Sequence, residues 1–100
     1  AEKLYDLAVV IAAWSFDREI NFNFDRAVAL IEGYQKIRNF EREERENLRD
    51  TLRMVSMRFM MTRIIDRIKN ADNKFYQAKN PEVFFKRLHF FTQQPKDFLW

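Results

Sequence analysis

The chain has 100 residues, of which 47% are hydrophobic and 33% are charged, and its net charge at neutral pH is +3. It contains one glycine, two prolines and no cysteine. This composition fits one small, mostly helical domain and argues against β-sandwiches and barrels, because those folds need many turns. The absence of cysteine excludes disulfides, cysteine-ligated zinc and cysteine nucleophiles, and it favours a reducing compartment.

No segment of the sequence has the character of a membrane span or of a secretory signal. The longest apolar run, Leu7 to Trp14, is far shorter than the roughly 20 residues that a membrane-spanning helix needs. We therefore expect a cytoplasmic protein that does not enter a membrane. The chain starts at Ala1 without an initiator methionine and reaches apolar sequence within a few residues, so we expect it to be part of a longer protein.

Apolar residues recur with a helical period in four segments. We predict an all-α, four-helix bundle-like unit over residues 1–100, with helices over about residues 3–15, 24–37, 41–69 and 81–93. Asn23 and Asn80 are predicted N-caps, and Pro81 fits the first position of the last helix. The first helix is apolar on nearly all sides, which predicts burial nearly all round.

The C-terminal half of the long third helix, from Met54 to Ile68, carries apolar residues around its whole circumference. This pattern predicts a central, buried helix. Methionines at this spacing are typical of adaptable core packing rather than of a binding surface.

Three charged side chains lie within this apolar half. A buried guanidinium needs a carboxylate partner, because a stranded charge costs several kcal/mol. Arg63 and Asp66 are three residues apart and can pair along the helix, whereas Arg58 would pair with Asp6 or Asp17 from another element. We predict that Asp6, Arg58, Arg63 and Asp66 form an internal ion-pair lattice; the alternative is an arginine that clamps a substrate carboxylate.

The sequence contains no recognisable catalytic or metal site. Phosphate-binding loops need clustered glycines, and one histidine cannot supply an imidazole cluster. The carboxylates show no metal-ligand spacing, so we predict no metal ligands. A row of arginines on the third helix is interleaved with acids, which indicates a solvated, salt-bridged surface and not a nucleic-acid interface.

Aromatic residues make up 16% of the chain, and eleven of them are phenylalanines. A chain of this length buries only about two-thirds of its unfolded surface. We therefore expect an exposed aromatic surface that supports a homo-oligomer or the exchange of a helix between two copies.

Several blocks of residues resemble, in the same order and with similar gaps, the helical C-terminal part of bacterial homoserine kinases, which have an aminoglycoside- and choline-kinase-like fold. These blocks are Tyr5 to Ile11, Trp14, Phe16-Asp17, Gly33-Tyr34-Gln35, Arg58-Phe59, Arg63, Asp66, Asn80-Pro81, Phe84, Leu88 and Phe90. The chain departs from the family at Glu41, where the family often has a serine or threonine cap, and in its tail from Leu88 to Phe91.

The resemblance implies a parent enzyme that transfers the γ-phosphoryl group of ATP to the hydroxyl of L-homoserine, in threonine biosynthesis, with Mg²⁺. The family's catalytic His-Gly-Asp loop, its asparagine, its second aspartate and its nucleotide loop would all precede Ala1, so no catalytic residue is carried onto this chain. We expect the fragment alone to be inactive, with the missing N-terminal part of the kinase as its partner.

The resemblance does not determine which residues lie near the substrate or which acceptor is phosphorylated. Trp14 and Asp17, at the end of the first helix, are the candidates for lying near the substrate pocket. Related kinases phosphorylate choline, aminoglycosides and other hydroxyls on the same scaffold, so the acceptor is not fixed. The competing hypothesis is a stand-alone helical module that binds another protein's helix.

Overall fold

The computed structural model describes residues 2–18, 20–77 and 79–100, and only the backbone of Glu2. Within these ranges the chain forms four α-helices, α1 (Glu2–Trp14), α2 (Phe24–Ile37), α3 (Arg42–Lys69) and α4 (Glu82–Gln93). Two short strands, β1 (Phe16–Asp17) and β2 (Asn21–Phe22), pair antiparallel between α1 and α2. The predicted all-α class is confirmed. The sequence does not predict the hairpin, because strands of two residues are too short to show an alternation of apolar and polar residues.

The helix starts follow from local hydrogen bonding. Asn23 accepts the backbone N–H of Arg26 at 3.0 Å, which satisfies one of the free donors at the start of α2. At the start of α3 the backbone N–H of Glu41 donates to the Glu44 carboxylate at 3.2 Å. The side chain of Asn80 accepts the backbone N–H of Glu82 at 2.9 Å, ahead of α4.

The core lies where α1 and α4 pack against α3, with α2 against α1. Its centre is formed by fully buried side chains from three helices: Leu7 and Ile11 from α1, Leu48, Leu52 and Val55 from α3, and Phe91 from α4. These positions follow the helical period, so each helix buries one face.

Two expectations about burial are wrong for the described residues. α1 is not buried nearly all round but on one face, and its last residue, Trp14, is 69% exposed. The C-terminal half of α3 is not central: five large apolar side chains along one line of this half are 45–70% exposed, namely Met54, Met57, Met61, Ile65 and Ile68. We call these five residues the α3 stripe. The reason is geometric, since the buried residues of α3 that face α1 and α4 lie on the opposite side of the helix from the stripe, namely Leu48, Leu52, Val55 and Ser56.

The C-terminal end of α1 is held by two arginines from other helices. Arg87 of α4 is buried, lies between the rings of Phe16 and Phe84 at 4.7 and 4.8 Å, and donates to the carbonyl of Ala12 at 2.8 Å. Arg26 of α2 donates to the carbonyl of Trp14 at 2.8 Å. The last carbonyls of a helix have no partner within it and carry partial negative charge, so guanidinium donors suit this position.

Replacing Arg87 with methionine removes the donor to Ala12 but keeps an unbranched chain. We expect the free energy of unfolding to fall by about 2–3 kcal/mol, because a hydrogen bond from a charged group is lost and a buried carbonyl loses that donor. Urea unfolding followed by circular dichroism measures the change. The control is Lys86→Met at the exposed neighbouring position, which should stay within about 0.5 kcal/mol. An Arg87→Met variant as stable as the control would contradict this role.

The start of α3 predicts a pH dependence of stability. Both guanidinium ends of Arg38 donate to the Glu44 carboxylate at 3.0 Å, and this pairing, followed by the backbone N–H of Glu41, lowers the pKa of Glu44 below its ordinary 4.5. The contribution of ionised Glu44 is therefore complete above pH 4.5 and is lost as the pH falls through the lower folded-state pKa.

We expect Glu44→Gln to be less stable than the parent chain at pH 7, and the difference to shrink as the pH is lowered to 3. Urea unfolding of both proteins across this range measures it. Glu43→Gln, in the same exposed turn, serves as the control. A difference that stays constant with pH would contradict the role assigned to Glu44.

Candidate functional site

A surface pocket of about 310 Å³ opens where the end of α1, the C-terminal half of α3 and the start of α4 meet. We call it the Arg63 pocket. It is lined by Ala13, Phe59, Thr62, Arg63, Asp66, Lys79 and Phe84. It therefore brings together two of the polar residues that the sequence singles out, Arg63 and Asp66, although not in the predicted arrangement.

The floor of the pocket is apolar and firmly packed. The rings of Phe59 and Phe84 lie 5.1 Å apart between centroids, and Phe84 is buried. Ala13 adds a methyl group from the last turn of α1. Ring pairs at this distance stabilise each other beyond the area that they bury, so Phe59 and Phe84 support each other in the floor.

Arg63 is anchored at the edge of this floor. Its guanidinium carbon lies 4.5 Å from the centroid of the Phe84 ring, and Nη1 donates to the carbonyl of Asn80 at 3.0 Å. These two contacts tie α3 to the start of α4. Nε and Nη2 make no hydrogen bond to a described residue, so part of the guanidinium's donor capacity is left for another partner.

The predicted ion-pair lattice of Asp6, Arg58, Arg63 and Asp66 is not formed among the described residues. Arg58 donates to the hydroxyl of Tyr5 at 2.8 Å and lies over that ring, instead of pairing with Asp6 or with Asp17. Arg63 and Asp66 do not pair with each other in this part of the chain. Arg58 and Asp66 are exposed, so water solvates both charges and no ionic partner is required.

The two substrate-pocket candidates lie near the end of α1 but do not line the Arg63 pocket. Trp14 follows directly after Ala13, which does line it. The carboxylate of Asp17 accepts from Arg26 at 2.9 Å and from the side-chain amide of Asn23 at 3.1 Å. Asp17 therefore links β1 to the start of α2, and the proximity of both residues to a substrate stays a prediction.

Lys79 and Thr62 are pocket residues that the sequence does not single out. Lys79 lies in the polar segment before α4 and Thr62 lies within α3, so they meet only through packing of α4 against α3. The rim therefore carries two cations, Arg63 and Lys79, and one anion, Asp66, around an apolar floor. Such a rim suits a small ligand that carries charges of both signs.

Neither a metal-binding cluster nor a glycine-rich phosphate loop occurs among the described residues. Among residues 2–18, 20–77 and 79–100, no three His, Cys, Asp or Glu side chains are placed to share a metal ion. Gly33, the single glycine, lies within α2 and not in a phosphate-binding loop. No helix in the described ranges is both long and apolar enough to cross a membrane.

Comparison with known proteins places the chain beside one group of enzymes, although no family model matches it. It is 37% identical to the homoserine kinase of Chelativorans sp. (strain BNC1) over 89 residues, which is 89% of this chain and 28% of that protein. The homoserine kinases of Zymomonas mobilis subsp. mobilis and Methylobacterium radiotolerans are 37% and 39% identical over 91% and 89% of this chain, and again 28% of each relative is covered. The resemblance seen in the sequence is confirmed, and the chain spans little more than a quarter of the length of these relatives.

Proposed function

We propose that this chain is the helical C-terminal part of an ATP-dependent homoserine kinase, which phosphorylates the hydroxyl of L-homoserine in threonine biosynthesis in the cytoplasm. The observation that carries the proposal is the identity of 37–39% with three homoserine kinases over about nine-tenths of the chain. A match to 28% of each relative is what a segment of such an enzyme would give.

Among the described residues we find neither a metal-binding cluster nor a glycine-rich loop for the phosphates of a nucleotide. Phosphoryl transfer depends on carboxylates that hold Mg²⁺ and on donors that neutralise the phosphates. The described ranges hold no group of three metal-ligating side chains, and the single glycine lies within a helix. In the parent enzyme ATP and Mg²⁺ would therefore be bound outside this segment. The segment would support the catalytic part and form a wall of the acceptor pocket.

The α3 stripe is the surface that we assign to the rest of the parent kinase. Five large apolar side chains exposed in one line mark an interface, because monomeric proteins rarely leave such a continuous patch in water. The charged residues nearest its two flanks at 100° per residue are Arg53, Arg58 and Lys69, and Asp50 lies in line with the stripe one turn before Met54. A second copy placed side by side would bring like charges together, which disfavours self-association through the stripe.

The stripe also supports the second candidate function. A stand-alone helical module would use the same apolar face to bind the helix of another protein. The coding sequence upstream of Ala1 separates the two functions. A His-Gly-Asp loop with its asparagine and a second aspartate would support the kinase, whereas a start codon near Ala1 would support the module.

The first test of the kinase proposal is activity. We expect the full-length parent to phosphorylate L-homoserine with ATP, and the pure 100-residue chain to show no turnover, because none of the family's catalytic groups is assigned to it. A coupled assay for ADP release measures both. Turnover by the isolated chain would contradict the division of roles, and a parent that phosphorylates only another acceptor would contradict the substrate.

The second test concerns the partner. We expect the 100-residue chain, co-expressed with the remainder of the parent, to restore kinase activity, and we expect Met61→Glu to weaken that complex at least 10-fold. A carboxylate at this position would be desolvated by the partner, and burial of an unpaired charge costs more than the roughly 1.4 kcal/mol that this factor represents.

Ile37→Glu is the matched control, since Ile37 is a large apolar residue on α2 that is 79% exposed and lies outside the stripe. Affinity is measured by titrating one part with the other and following activity. Equal effects of the two substitutions, or dimers of the isolated chain that Met61→Glu abolishes, would contradict the assignment of the stripe to the rest of the kinase.

A further inference from the structure

We propose that the Arg63 pocket binds the backbone groups of an amino-acid acceptor, with Arg63 and Lys79 at its α-carboxylate and Asp66 at its α-ammonium group. The inference rests on the proposed function and deepens it, since it assigns acceptor-binding residues within this chain. It replaces the predicted Arg63–Asp66 ion pair with a site in which the two charges face a ligand.

The spacing of the charges matches this class of ligand. Arg63 and Asp66 are three residues apart on α3, so they lie on one side of the helix with Cβ atoms about 5–6 Å apart. In an α-amino acid the carboxylate and the ammonium group are attached to one carbon atom. A cation and an anion one helical turn apart can therefore engage both groups of the same molecule.

The Arg63 guanidinium is prepared for a carboxylate. Its position over Phe84 and its bond to Asn80 fix the plane of the group before a ligand arrives. A planar fork with free donors binds a carboxylate through two parallel hydrogen bonds, and a side chain that is already ordered loses little entropy on binding.

The balance of charge argues against other ligands. The Asp66 carboxylate and the Lys79 ammonium group make no ion pair with another described residue, so both are available. Asp66 would repel the phosphates of a nucleotide, and a purely apolar ligand would remove water from the charged rim without replacing its hydrogen bonds. The volume of about 310 Å³ lies at the small end of ligand pockets, and the floor of Phe59, Phe84 and Ala13 suits the methylene groups of a short side chain.

The test uses the full-length parent and three acceptors. L-homoserine carries both charged groups, 3-amino-1-propanol lacks the carboxylate, and 4-hydroxybutyrate lacks the ammonium group. We expect Arg63→Gln to lower kcat/KM for L-homoserine about 10- to 100-fold, the loss typical of a hydrogen bond to a charged group, and to leave kcat/KM for 3-amino-1-propanol and the KM for ATP unchanged. Asp66→Asn should lower kcat/KM for L-homoserine and leave that for 4-hydroxybutyrate unchanged.

Arg67→Gln is the matched control, because Arg67 is an exposed cation on the same helix that does not line the pocket. Arg63→Gln also removes the contact with Asn80, so a loss of stability alone has to be separated from a loss of binding. Equal losses for L-homoserine and 3-amino-1-propanol would show a structural role and overturn the inference. Variants at Arg63 and Asp66 that behave like Arg67→Gln would also overturn it, and the proposed function would stand.

Failure of the proposed function can be distinguished from failure of the amino-acid site. If the wild-type parent does not phosphorylate L-homoserine, the proposed function is wrong, and calorimetric titration of the same protein with L-homoserine and L-serine tests the pocket. Binding that Arg63→Gln weakens at least 10-fold, and that Arg67→Gln does not, would uphold an amino-acid site. Absence of binding would overturn the site as well.

Discussion

The structure depends on how the C-terminal end of α1 is capped. A helix ends in carbonyls that have no partners within it, and here the start of α2 and the last helix, α4, supply the donors. Arg87 reaches the carbonyl of Ala12 from α4, Arg26 reaches that of Trp14 from α2, and the backbone N–H of Asn23 donates to the carbonyl of Ser15 at 2.6 Å. The start of α2 and the distant helix α4 therefore meet at the end of α1. Because Ala13 lies in this same turn, capping of α1 also fixes one wall of the Arg63 pocket.

Much of the aromatic content of the chain lies in one cluster of phenylalanine rings. The rings of Phe16, Phe22, Phe90, Phe91 and Phe98 contact one another, with most pairs edge to face. Such pairs contribute beyond the area that they bury, so a two-strand hairpin too short to be stable alone is held by its two phenylalanines. Among the described residues, large aromatic side chains stay exposed at Trp14, Phe24, Phe75, Phe85 and Trp100, and the homo-oligomer expected from such a surface stays a prediction.

The helices could be predicted from the sequence because their signals are local. Asn23 and Asn80 accept backbone N–H groups at the predicted helix starts, and the apolar period fixes which face is buried. The role of Arg87 could not be predicted, since its partners Phe16 and Ala12 lie about seventy residues away and only tertiary packing brings them together. The exposure of the α3 stripe was missed for a related reason. An apolar pattern on all sides of a helix predicts that each side is buried, but it does not show whether the covering surface belongs to the same hundred residues.

The α3 stripe and the Arg63 pocket share the C-terminal half of α3. Met61 of the stripe and Arg63 of the pocket are two residues apart, so they lie about 200° apart around α3, on nearly opposite sides of the helix. α1 and α4 cover only the side that carries Phe59 and Arg63. For an acceptor in the Arg63 pocket to meet the γ-phosphoryl group, the part of the kinase docked on the stripe would also have to extend around α3 to the mouth of the pocket. Under the two proposals, one side of this helix half would hold the segment to its enzyme and the other would receive an acceptor, and this division would explain the charged residues within an otherwise apolar sequence.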